Sequence, residues 1–132
     1  MIMAEEQKDL KDLLLKDLCA RLPYGVKVST PDDVSRTITR MNIDRNLIEV
    51  GNYIDDVYVL SDIKPYLFPL SSMSEEQKEE YCQLQQRIIY NSKGIVNEDI
   101  TEYINWCYEN HLDINGLIPK GLAIDCTNLN IY

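Results

Sequence analysis

Chemistry in this chain would have to be built around four cysteines and a single histidine. Cys107 and His111 stand four residues apart. On a continuous helix that spacing turns both side chains to one side, the arrangement that supplies two ligands of a zinc site. Two further ligands would have to come from Cys82, Cys126 or Asp113, at spacings that match no zinc module. A histidine near a helix C-terminus is also favoured there by the helix dipole. The neighbouring stripe Ile100, Ile104 and Cys107 is apolar. A structural, capping role for His111 is therefore expected, with Cys107 and His111 kept as metal candidates and no cofactor assigned. Nucleophilic catalysis is restricted in the same way. There is no Gly-x-Ser-x-Gly elbow, and any Ser-His or Cys-His scheme must use His111. No catalytic residue is assigned, and a non-enzyme is expected.

The pair Gly116 and Gly121 has the glycine spacing of a phosphate-binding loop, which requires Lys and then Ser or Thr directly after the second glycine. Here Lys120 precedes Gly121 and Leu122 follows it, so the match fails. A turn at Asn115-Gly116 leading into a short apolar helix or strand, Leu117 to Ile124, is the expectation. The acidic pairs Asp32-Asp33 and Asp55-Asp56 lack the alternating Asp-x-Asp-x-Asp spacing of a calcium loop and read as solvated turns. The aromatic inventory is unusual, with nine Tyr against one Phe and one Trp. Tyrosine offers a large contact area with a polar tip and is enriched at interfaces. Tyr53, Tyr58, Tyr103 and Trp106 are the partner-binding candidates.

The elements that must position these groups follow from periodicity. Leu10, Leu13, Leu14, Leu18 and Leu22 recur at helical steps, and Pro23 disfavours helix at the residue before it, predicting a helix from about Ala4 to Leu22. From Tyr24 to Leu60 the period becomes strand-like, in "YGVKVST", "SRTITRMNI", "LIEVGN" and "VYVL". About four short strands with tight turns predict an antiparallel meander or SH3-like β-roll. "SDIKPYLFPLSSM" carries Pro65 and Pro69 and reads as a connector or edge lying on the core, with one helical turn at Asp62 to Tyr66. Ser74 with Gln77 makes a capping box for a second helix that Gly94 should stop, and Asn97 caps a third running to about His111. The fold class expected is α+β in one domain: helix 1–23, β-roll and connector 24–72, helical part 73–132.

A chain of 132 residues with 45% hydrophobic and 27% charged content can bury a core without staples, so the scattered cysteines are expected to be reduced. No signal-peptide pattern opens the chain and no apolar run reaches the ~20 residues of a membrane span, so a cytoplasmic location without membrane contact is expected. The net charge is −9, with 9 basic and 12 acidic residues up to Ser72 and 4 basic and 10 acidic beyond it. Nucleic-acid readers draw their affinity from Lys and Arg neutralising phosphates, so direct nucleic-acid binding is not expected. A basic partner protein, or no charged partner, suits this charge better; self-association is kept as the alternative.

Three phrases, "CARLPYGVKV" (Cys19 to Val28), "IKPYLFPLSSMSEEQKEEY" (Ile63 to Tyr81) and "NHLDINGLIPKGLAI" (Asn110 to Ile124), together resemble a family of small uncharacterised proteins of gut anaerobic bacteria and their phages and prophages. The resemblance covers most of the chain. It implies an intracellular protein of a mobile element or phage and assigns no activity, cofactor or catalytic residue. The function expected is thus a non-catalytic interaction or accessory module. One alternative is an acidic nucleic-acid mimic, in which Glu75, Glu76, Glu79, Glu80, Glu98, Asp99, Glu102 and Glu109 form a continuous exposed row. Another is a small enzyme or metal protein around Cys107 and His111.

Overall fold

Helix α1 spans Ala4–Arg21 in the computed structural model, which describes residues 4–32, 34–51, 56–89 and 97–132, with the backbone alone at Ala4, Asn97 and Glu98. Its leucine stripe puts Leu14 and Leu18 in the core, with Leu13 and Leu15 packed at its edge. The stripe stops where the sequence demands: Pro23 falls within a 3-10 turn, Leu22–Tyr24, and Gly25 closes it in the left-handed region at φ 69°.

The four expected strands form in order: β1 (Lys27–Ser29), β2 (Ser35–Asn42), β3 (Leu47–Val50) and β4 (Val57–Val59), each antiparallel to the next. Alternation holds, with Val28, Ile38, Ile48 and Val50 buried on one face. The turn residues Asp33 and Asp55, the interface candidate Tyr53, and Gly94 lie outside the described residues. Asp32 and Asp56 are both drawn to Arg36, at 2.9 and 3.7 Å, so these acids serve the sheet's loops.

The connector is corrected. Its helical turn is a 3-10 turn at Leu60–Asp62, and Lys64–Leu67 is a strand, β5, antiparallel to β1 with Val28 opposite Pro65. Tyr66 and Leu67 point to opposite faces and both are buried. A strand covered on both sides shows no period-two alternation, so the sequence pattern hides it. A two-residue strand, β6 (Ile124–Asp125), runs parallel to β5. The sheet order is β4-β3-β2-β1-β5-β6, and these pairings do not by themselves specify closure into an SH3-like roll.

Helix α2 (Glu75–Ile89) starts at the expected capping box: the Gln77 N–H donates to Ser74 Oγ at 3.1 Å and the Ser74 N–H donates to Gln77 Oε1 at 3.0 Å. Helix α3 (Asn97–Glu109) packs against it. The chain then bridges to the sheet, the Phe68 N–H donating to the His111 carbonyl and the Asp113 N–H to the Phe68 carbonyl. The fold is α+β: one helix, a mostly antiparallel six-stranded sheet, and C-terminal helices. Among the described residues, no helix is long and apolar enough to cross a membrane.

Candidate functional site

The candidate pairing of Cys107 with His111 rests on a helix continuing through both, and the helix ends at Glu109. The His111 N–H donates to the Tyr108 carbonyl at 3.0 Å and the Leu112 N–H to the Cys107 carbonyl at 3.0 Å, the two bonds of a Schellman termination. His111 sits at its left-handed position, φ 58°, where glycine is usual. Its ring stacks on Tyr132, 3.6 Å between centroids at 12°, with Nδ1 buried and unpartnered among protein groups. Burial, then the nearby Arg21 and Lys27 charges, push its pKa down to about 4. Cys107 is fully buried, and that burial pushes its thiol up although Tyr103 hydrogen-bonds to it. A protonated thiol and a neutral, stacked imidazole are the reverse of the thiolate–imidazolium pair that nucleophilic catalysis uses. Among the described residues no group of three or more His, Cys, Asp and Glu converges to hold a metal.

The Tyr132 phenol does structural work that its exposure conceals. Its hydroxyl accepts the Lys27 N–H at 2.8 Å and donates to the Tyr66 carbonyl at 2.9 Å. In the β1–β5 register Lys27 and Tyr66 would face each other next, after Val28 with Pro65. The hydroxyl therefore replaces one rung of the ladder with a two-bond relay. Burial pushes its pKa up to about 12, so it stays protonated and can donate.

A second buried polar group was not anticipated from the sequence. Asp17 and Arg21, 1% and 0% exposed, form an ion pair at 2.6 Å. Arg21 Nη2 also donates to the Leu112 carbonyl at 2.6 Å, its Cζ lies 4.8 Å from the Tyr108 ring centroid, and Asn115 Nδ2 donates to Asp17 at 2.8 Å. Asp113 then accepts the Leu117 and Ile118 N–H groups at 2.8 and 2.9 Å. The stretch from Leu117 to Ala123 is a chain of turns rather than the expected helix or strand, with Gly116 and Gly121 both at positive φ. The signal was positional: Asp17 and Arg21 share the 14, 17, 18, 21 stripe with Leu14 and Leu18.

The aromatic candidates among the described residues, Tyr58, Tyr103 and Trp106, are engaged inside the fold. Tyr58 packs against the core. Tyr103 donates to the Tyr81 hydroxyl at 3.0 Å, and Tyr81 lies 6.1 Å from Trp106, whose indole N–H donates to Glu80 at 2.8 Å. These contacts fasten α2 to α3. They also engage members of the acidic row: Glu80 meets the indole, Glu102 meets Arg87 at 3.1 Å, and Glu75 meets Lys78 at 3.4 Å. Glu75, Glu80 and Glu102 thus have partners of their own within the fold.

Among the cavities open at the surface is a cleft of about 200 Å³ between α1 and the Leu60–Lys64 segment. Leu10 and Leu14 of α1, Leu60, Ile63 and Leu122 make it apolar. Leu14, Leu60 and Ile63 are its buried floor, while Leu10 and Leu122 are partly exposed walls. Gln7, Lys11, Ser61 and Lys64 complete its lining and are exposed. Gln7, Leu10, Lys11 and Leu14 are successive positions of one helical face, so α1 alone builds one side. No protein-family model matches the chain, and no curated protein or solved structure shows a significant similarity to it.

Proposed function

We propose that this protein is a non-catalytic interaction module that receives an apolar side chain of a partner protein in the cleft between α1 and Leu60–Lys64. The observation that carries this reading is the cleft itself: aliphatic on its floor and walls, open at the surface, and ringed by polar side chains, the layout of an interface anchor pocket. At about 200 Å³ it is smaller than the roughly 300–1,000 Å³ of small-molecule sites. The sequence resemblance supports an accessory role in a phage or mobile element. The test is affinity capture from native host cells, comparing the wild-type chain with Leu10→Glu/Leu122→Glu, whose altered positions are both partly exposed, with circular dichroism confirming that the variant is folded, since Leu122 also packs against the core. A stoichiometric partner recovered by the wild type and lost by the variant is the expected result. A partner held equally by both, or none at all, removes the proposal.

A further inference from the structure

The charge at the cleft is opposite to that of the whole chain. Lys11 and Lys64 line it, and Lys11 also lines an adjoining cavity of about 130 Å³ together with Arg45, Asn46, Val59, Leu60 and Ser61. Neither lining contains a carboxylate among the described residues. The ion pairs of the described residues use Arg21, Arg36, Arg40, Lys78 and Arg87, and never Lys11, Arg45 or Lys64. Among the described residues, three cations are thus left without an ion-pair partner around an apolar cleft and the more polar cavity beside it, in a chain of net charge −9. At physiological ionic strength charges beyond roughly 8 Å are largely screened. A group entering the cleft therefore responds to the charges at its rim, Lys11 and Lys64 in the lining and Asp12 and Asp62 next to it in the chain, more than to the acidic bulk.

Resting on the interaction reading above, we infer that the segment seated in the cleft is acidic: an aliphatic side chain, flanked by Asp or Glu, placed so that its carboxylates meet Lys11 and Lys64. The two signs divide the labour. The aliphatic floor supplies the desolvated anchor, and the lysines fix its direction, since unpaired carboxylates would be repelled by the rest of the surface. A partner whose overall charge is basic is compatible with this, provided the inserted segment is locally acidic.

Selection of a random displayed peptide library on the full chain tests the inference. The expected outcome is an enriched family with Leu, Ile or Met beside Asp or Glu. A synthetic peptide of the leading sequence should lose binding to Leu10→Glu/Leu122→Glu and bind Lys11→Glu/Lys64→Glu about fivefold more weakly at low salt. Exchanging the peptide's carboxylates for Lys should restore binding to that second variant, a rescue that a merely misfolded protein would not give. Peptides that need Leu10 and Leu122 but are neutral or basic, or are indifferent to the lysine reversal, overturn the acidic-segment inference and leave the interaction reading standing. Peptides indifferent to Leu10→Glu/Leu122→Glu, or no enrichment at all, overturn both.

Discussion

His111 combines two roles that usually fall to different residues, turning the backbone and filling an aromatic stack. Its protonation couples to folding in a definite direction. Its pKa is about 4 in the fold against 6.5 ordinarily, so between these values the unfolded chain binds the extra proton. Stability from this group is fully present above about pH 6.5 and is lost as the pH falls toward 4. Allowing for the solvent that still reaches the ring, the loss is on the order of 1 kcal/mol. Urea midpoints measured from pH 7 to pH 4 should fall for the wild type, and His111→Gln should remove that part of the slope. Asp17 and Arg21 carry a larger stake. Asp17→Ala leaves a buried guanidinium without its carboxylate and should cost about 3–5 kcal/mol, while the double change Asp17→Leu/Arg21→Met should cost less than that single one. Equilibrium denaturation decides between them, and a double variant worse than Asp17→Ala would refute the argument. The helix end at His111 was legible beforehand, but its left-handed geometry and the buried Asp17–Arg21 pair were not. A C-terminal dipole argument found that His111 ends the helix, but left-handed geometry depends on hydrogen bonds that no spacing records. Charged residues in a leucine stripe are ordinarily assigned to solvent, because buried Asp and Arg need partners more than 90 residues away.

Elements with local signatures were readable, and those stabilised from afar were not. The capping box at Ser74, the breaker at Pro23 and the alternation in β1 to β4 each act within a few residues. By contrast β5 contains Pro65, is buried on both faces and takes its partners from β1 and β6, so its identity is decided by tertiary contact. The cleft was invisible for the same reason: Leu10 and Leu122 become neighbours only once α1 lies across the start of β5. The tyrosine surplus is equally compatible with interface and half-buried packing roles, and Tyr103, Tyr81 and Trp106 pack where two helices meet. The β1–β5 join makes a prediction at this scale. Tyr132→Phe keeps the stack on His111 but removes the relay between the Lys27 N–H and the Tyr66 carbonyl. Leaving those groups without it should cost about 1–2 kcal/mol. The Lys27 amide should then exchange with solvent faster than in the wild type, while amides of the β2–β3 hairpin keep their relative protection. Unchanged exchange at Lys27 would show that water substitutes for the hydroxyl.

For the molecule as a whole, the four free cysteines provide a check on where the interior lies. Cys82 is exposed, Cys19 partly covered, and Cys107 and Cys126 buried, with burial pushing the Cys126 thiol up to about 11. Alkylation followed by mass spectrometry should label Cys82 rapidly and Cys19 more slowly, and reach the other two only after denaturation. Early labelling of Cys107 would mean that α3 is not seated on the core as described. The bulk acidity, legible from composition alone, misdescribes the cleft lined by Lys11 and Lys64, which have no ion-pair partner among the described residues. The links between the ends of the fold carry a further consequence. The Tyr132 relay joins positions 105 apart in the chain and the Arg21 bond to Leu112 joins positions 91 apart. Contacts so distant must close long loops before they are rewarded, which slows the search for the native state. The pairings of β1 to β5 join nearer neighbours, whereas the Arg21 bond to Leu112 and the β5–β6 pairing need the 110–132 segment to arrive. Docking of that segment is therefore the expected late step of refolding, and until then the β6 side of β5 is an unpaired edge open to other chains.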